Sequence, residues 1–190
     1  MRWTVVKKPF VLGVAGYKNT GKTTLICRLL DALHAQGFVC SVIKHDAHGF
    51  TASPQTSDTG RYFSTGAASV VIASPDGHMA LERTYDSEPP LTELLGQLAP
   101  SDVVLVEGFK RAPMQKLVMI EEMAFDAHRE AFIAPDFVDQ IVDPSHIRGY
   151  LVPALPLRVA GLNRPVYHRD EIDRLHFEVM RWITEEAYGV

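Results

Sequence analysis

A chain of 190 residues is long enough to bury a core and is most simply one domain over 1–190. An apolar fraction of 46% and a charged fraction of 22% suit a soluble globular protein and exclude a disordered one. The formal net charge of -4 provides no whole-chain field for a polyanion, so nucleic acid is not an expected partner, and no run approaches the roughly 20 apolar residues that cross a membrane. The two cysteines, Cys27 and Cys40, are not in a CxxC arrangement and imply a reducing, cytoplasmic compartment.

In chain order, Lys7 and Lys8 before a short apolar run faintly suggest a signal peptide, but the run leads directly into a glycine loop. Phe10 to Ala15 therefore reads as a buried parallel strand. A helix is predicted from Lys22 to about Gln36, with Leu25, Ile26, Leu29, Leu30 and Leu33 on one face and Gly37 as its C-cap. Phe38 to Lys44 is a second strand, and the three elements make a βαβ unit. His45 to Ser57 is a polar loop. Asp58 is expected to cap a short helix reaching Thr65. Ala68 to Ala73 and Met79 to Thr84 form a hairpin extension, about 68–84, around the turn Ser74-Pro75-Asp76-Gly77. Pro90 to Leu98 is a short helix, Val103 to Val106 a buried strand and Lys116 to Ile120 another. Met123 to Ile147 has no clear pattern. Leu155 to Ala160 is a last strand, and Asp170 is expected to cap a final helix striped by Ile172, Leu175, Val179, Met180 and Ile183. The expected fold is α/β, a mostly parallel sheet flanked by helices.

Gly16-Tyr17-Lys18-Asn19-Thr20-Gly21-Lys22-Thr23 fits G-x-x-x-x-G-K-[ST] at every fixed position, between a strand and a helix. Glycine lets several N–H groups turn toward one point, and the positive end of the following helix adds to them. This is a P-loop for a nucleoside triphosphate with Mg²⁺. Lys22 reaches the β and γ phosphates, and the Thr23 hydroxyl binds the metal. Asp102 to Gly108 is an apolar strand ending in a carboxylate, so Glu107 is the candidate Walker B residue, acting on Mg²⁺ directly or through water. Asp46, at the end of the second strand in Lys44-His45-Asp46-Ala47-His48, is a further candidate for Mg²⁺ or for ordering water. His45 and His48 admit a transition-metal reading that lacks a third ligand. Asp58 and Arg61 form an i,i+3 pair that is either superficial or part of the site. Lys110, Arg111 and Lys116 either receive an anion or lie on a solvated loop. Spacing alone does not choose guanine over adenine.

GYKNTGKTTL, VIKHDAHGF, SDTGRYFSTGA and DVVLVEGFK followed by Lys116, in that order over about 9–120, resemble the MobB-type molybdopterin-guanine dinucleotide biosynthesis adapter proteins. The resemblance implies a P-loop NTPase-like fold, GTP as the nucleotide and weak GTPase activity. It also implies partnership with the molybdenum cofactor guanylyltransferase and a homodimer in which the hairpin is exchanged. By carry-over, Gly16, Lys18, Asn19, Thr20, Gly21, Lys22, Thr23 and Thr24 would hold phosphates, and Thr23 and Glu107 would serve Mg²⁺. Asp46 and Asp58 match the acidic positions of the segment between the motifs. Base recognition is expected near Ala160 to Asn163. Two other classes remain open: a small-molecule kinase, and a GTP-dependent metal chaperone suggested by His45 and His48.

Overall fold

The computed structural model describes residues 8–50, 53–120, 124–126, 131–133, 143–153, 159–160 and 164–188. They divide into two compact units, one of Met1–His45 with Leu94–Val190 and one of Asp46–Glu93.

The first unit is built on short strands, the central ones apolar and buried on both faces. β1 (Phe10–Gly16) and β5 (Val103–Glu107) lie side by side in parallel, Phe10 opposite Val103 and Val14 opposite Glu107. β5 separates β1 from β2 (Cys40–Lys44), the strand that follows β1 in the chain. On the other side of β1 lie β6 (Gln115–Met119), β9 (Ile147–Val152) and β11 (Val166–His168), giving a six-stranded, all-parallel order β11-β9-β6-β1-β5-β2. The carboxyl ends of β1, β5 and β2 therefore line up at one edge, where ligands of such sheets are held.

α1 (Lys22–Ala35) and α4 (Ile172–Tyr188) cover one face of the sheet. The apolar spacing of α1 places Leu25, Ile26, Leu29 and Leu33 against Leu12, Val14 and Leu105. α1 ends as expected at Gly37: Gly37 N–H donates to the His34 carbonyl at 2.8 Å and Phe38 N–H to the Leu33 carbonyl at 3.2 Å, a Schellman pair. On α4 the buried seam is Leu175, Val179 and Trp182, with Ile172, Met180 and Ile183 partly buried beside it. Ala15, Val118, Ile120, Ile147, Tyr150 and Val152 form a second cluster. A small sheet, β10 (Val159–Ala160), β8 (Ala131–Ile133) and β7 (Ala124–Asp126), completes this unit.

The second unit holds α2 (Asp58–Ser64) and the antiparallel hairpin β3 (Ser69–Ala73) with β4 (Met79–Arg83), which falls where the sequence places it. Ser53 Oγ donates to Glu82 Oε2 at 2.5 Å and accepts from Thr59 at 2.9 Å, tying loop, helix and hairpin together. Gly60 is required where it stands, because a Cβ there would lie 2.1 Å from the Pro54 carbonyl oxygen. α3 (Leu91–Gly96) is shorter than the expected Pro90 to Leu98.

Several sequence readings need correction. The N-cap of α2 is Ser57, whose hydroxyl accepts from Gly60 N–H at 3.1 Å; Asp58 is the first helical residue. Asp170 does not cap α4, which begins two residues later; its carboxylate pairs with Arg28 at 3.1 Å. β9 runs through Ile147–Val152, beyond the segment that showed no pattern. Of the strand expected over Leu155 to Ala160, only Val159–Ala160 lies within the described residues, and so does only Ala160 of the segment expected to read the base.

Candidate functional site

The loop between β1 and α1 turns sharply because Asn19 and Gly21 adopt positive φ, 64° and 88°. Alternating backbone handedness of this kind aims successive N–H groups inward. No side chain caps α1, so the first-turn amides behind Gly21 face the loop without a protein acceptor of that kind. Thr20 is buried, and its hydroxyl donates to the Tyr17 carbonyl at 3.0 Å, bracing the loop. The Lys22 ammonium also donates to the Tyr17 carbonyl, folding across the loop it belongs to.

β5 delivers Glu107 to the same place. Its carboxylate is buried at 8% residue exposure, and Oε2 accepts a hydrogen bond from Thr23 Oγ1 at 2.9 Å. Oε1 lies 3.7 Å from Lys44 Nζ at the end of β2, where Lys44 and Glu107 are register partners. The hydroxyl and carboxylate expected to serve one cation thus meet across 84 positions of sequence. Such a hard-oxygen pair fits Mg²⁺, which takes one or two protein oxygens and otherwise keeps water and phosphate oxygens. Burial holds the Lys22 pKa below its ordinary value, and the ammoniums of Lys110 and Lys44 push the same way against the opposing pull of Glu107.

The structure therefore brings Lys22, Thr23 and Glu107 together, with Gly16, Lys18, Asn19, Thr20, Gly21 and Thr24 on the loop and helix start around them. Asp46, Asp58 and Arg61 belong to the other unit. There Asp46 Oδ1 accepts from His48 N–H at 3.0 Å, and Asp58 and Arg61 form the expected pair at 3.9 Å with both side chains exposed, an ion pair worth little. His45 packs its ring 4.6 Å from that of Phe109, and among the described residues no three His, Cys, Asp or Glu side chains converge in a way that could hold a metal.

Two residues were misjudged or missed from sequence. Lys116 is not on a solvated loop: it is fully buried, its ammonium donating to the carbonyls of Ala112 and Met114, and burial lowers its pKa from 10.5 to about 8. Lys44, expected at its strand end to face the same crevice as Lys22 and Glu107, is the cation that pairs with Glu107, a partner the sequence did not name. The signal was present in the parity of the strand ends, since Lys44 and Glu107 each close their strand.

Residues 11–136 match the family model described as Molybdopterin guanine dinucleotide synthesis protein B, MobB. The chain is 37% identical over 122 residues to a probable molybdopterin-guanine dinucleotide biosynthesis adapter protein of Bacillus subtilis, covering 60% of this chain and 68% of that one. It is 33% identical over 129 residues to the molybdopterin-guanine dinucleotide biosynthesis adapter protein of Escherichia coli, covering 62% and 74%. Among solved structures, a crystal structure of molybdopterin-guanine biosynthesis protein B superposes with a TM-score of 0.66 at 25% identity, covering 91% of this chain and 99% of that chain. Bacillus subtilis MobB superposes with a TM-score of 0.60 at 26% identity, covering 87% and 94%. No described helix is long and apolar enough to cross a membrane. With the P-loop, the carboxylate facing it and a match over most of its length, the chain belongs to the MobB family of molybdopterin guanine dinucleotide synthesis proteins.

Proposed function

We propose that this chain binds GTP with Mg²⁺ through the β1–α1 loop, hydrolyses it slowly, and serves as an adapter for the guanylyltransferase that completes molybdopterin guanine dinucleotide. The observation that carries the nucleotide part is the meeting of Thr23 and Glu107 at 2.9 Å beside a helix start that no side chain caps. The adapter part rests on the relatives, which bear that description.

In this reading the loop amides and Lys22 hold the β and γ phosphates, Lys22 exchanging the Tyr17 carbonyl for phosphate oxygens. Mg²⁺, when bound, neutralises charge on those oxygens. Thr23 and Glu107 would hold it, and Glu107 also fixes the Lys44 ammonium at the site's edge. Asp46, which follows the β2 end directly, is proposed to order the attacking water or support the metal. Asp58 and Arg61 are proposed to assist from α2. Hydrolysis is slow in this proposal because the sequence motifs supply neither an arginine finger nor a glutamine to position the attacking water.

The protein is further proposed to act in the cytoplasm as a homodimer. The hairpin supports the dimer: Val71 and Leu81 are register partners at 59% and 43% exposure, and Met79, on the same face, is 69% exposed. A two-stranded ribbon with an uncovered apolar face is marginal alone, and a second copy would cover it.

The test is calorimetric titration with GTP and ATP plus Mg²⁺, followed by turnover with and without a molybdopterin guanylyltransferase. GTP preference with slow turnover is expected. Lys22→Ala should weaken GTP binding by about a hundredfold or more while leaving the fold intact, as expected for a lost charge-assisted phosphate contact. Full affinity in that variant would remove Lys22 from the site. Rapid ATP use with a small acceptor would make the protein a kinase, and tight Ni²⁺ or Zn²⁺ binding lost on His45→Ala and His48→Ala would favour a metal chaperone.

A further inference from the structure

The chain leaving β5 after Glu107 returns toward the phosphate loop before entering β6. Gly108 N–H donates to the Val14 carbonyl at 3.0 Å, tying the start of this segment to β1. Its far end is closed by a turn, Ala112 N–H to the Phe109 carbonyl at 3.0 Å, and by the buried Lys116 ammonium on the carbonyls of Ala112 and Met114. Between these two anchors stands Lys110. Its Nζ lies 5.1 Å from the centre of the Tyr17 ring, and Tyr17 is the second residue of the phosphate loop.

Three ammonium groups, Lys22, Lys44 and Lys110, thus gather near a single carboxylate, Glu107, which Lys44 already pairs. Gathering like charges is unfavourable unless an anion arrives between them. The contact of Lys110 with the ring is weak, about 0.5–1 kcal/mol at an exposed site, so the ammonium can leave it for a stronger partner. Arg111, the next residue, is exposed.

We propose that Lys110 is a second phosphate-site cation, supplied by the β5–β6 loop, that engages the terminal phosphate of the bound triphosphate. The assignment rests on the nucleotide-binding reading above and deepens it. The terminal phosphate is favoured because the loop issues from Glu107, which with Thr23 would hold a metal serving the outer phosphates. Lys110 does from within the chain what an arginine finger does in other phosphoryl-transfer sites, as a point charge rather than a planar fork. Lys116 keeps the loop in position and does not itself reach the ligand.

The experiment measures equilibrium binding of a non-hydrolysable GTP analogue and of GDP, with Mg²⁺, to the full chain and to Lys110→Ala, Lys110→Arg and Arg111→Ala, each checked by circular dichroism. Lys110→Ala should lose about tenfold to a hundredfold in affinity for the triphosphate and less than about threefold for the diphosphate. Lys110→Arg should retain most of the triphosphate affinity, and Arg111→Ala should change neither. If Lys110→Ala binds the triphosphate as the wild type does, or if it and Arg111→Ala weaken both nucleotides alike, the assignment is overturned while nucleotide binding stands. If the wild type binds no guanine nucleotide, both readings fall together.

Discussion

In the sheet unit, Leu12, Val14, Leu29, Leu33, Val103, Leu105 and Leu117 are wholly excluded from solvent; among the described residues of Asp46–Glu93, Gly60 alone is buried. The first region gains its stability from close-packed side chains between a parallel sheet and two helices. The second is held by local hydrogen bonds, Ser53 to Glu82, Ser57 to Gly60 and the ladder of its hairpin, and leaves Phe50, Tyr62, Ile72 and Met79 at least half exposed. The lesson is that one stretch of chain is folded by its own core, whereas the other keeps apolar surface for something else to cover.

The largest effect expected from this contrast is in the sheet. Leu105→Ala leaves a cavity at the centre of the core and should cost about 3–5 kcal/mol in a denaturant melt. A loss below about 1 kcal/mol would mean the core is not as tight as its burial indicates.

A second test uses the charge inside that core. Lys116 has a folded-state pKa of about 8 against 10.5 for the ordinary value. Below pH 8 it is charged in both states, and its burial penalty is fully present. Between pH 8 and 10.5 the unfolded chain holds more protons, so this residue's contribution to stability rises with pH, by up to about 3 kcal/mol. Wild type should therefore gain on Lys116→Met across that window, measured by parallel denaturant melts at pH 7 and pH 10. Parallel stabilities at both pH values would show that the ammonium is not desolvated.

The smallest effect belongs to the hairpin. Leu81→Ser should change the unfolding free energy of the isolated chain by less than about 0.5 kcal/mol, as surface substitutions do. It should nevertheless shift sedimentation toward monomer. If it unfolds the protein as Leu105→Ala does, the contrast between the regions is lost.

The parts of the molecule written in short-range pattern were legible in the sequence. β1 and β5 are continuous apolar runs, α1 has one apolar face with a glycine after it, and the phosphate loop announces itself by two glycines and a lysine at fixed spacing. What escaped depends on partners far away in the chain. β9 reads Ile-Arg-Gly-Tyr-Leu-Val, and its arginine and glycine break the apolar run; the arginine is accommodated by Gln115 at 2.8 Å and Glu185 at 3.7 Å. Trp182 completes the α4 seam, but the apolar stripe was drawn one position further on, through Ile183. Lys116 could not be told from a solvated lysine, because the carbonyls that receive it come from a loop without periodicity. Of the candidate site, Lys22, Thr23 and Glu107 were each read from their own motif, while the pairing of Lys44 with Glu107 needed the strand order.

β5 lies between β1 and β2 although the chain reaches it only at Val103, 93 positions after Phe10, its register partner. During synthesis, the first strand and helix therefore leave the ribosome without the neighbour that completes their hydrogen-bond ladder. The hydroxyl of Thr23 cannot meet Glu107 until the whole intervening segment has been made. Loop closure over that distance is slow, so the nascent amino-terminal third presents unpaired strand edges for the several seconds needed to translate about ninety residues at about 5–20 per second. Truncation before Val103 would therefore yield a fragment with unpaired strand edges, prone to aggregate, not a smaller working protein.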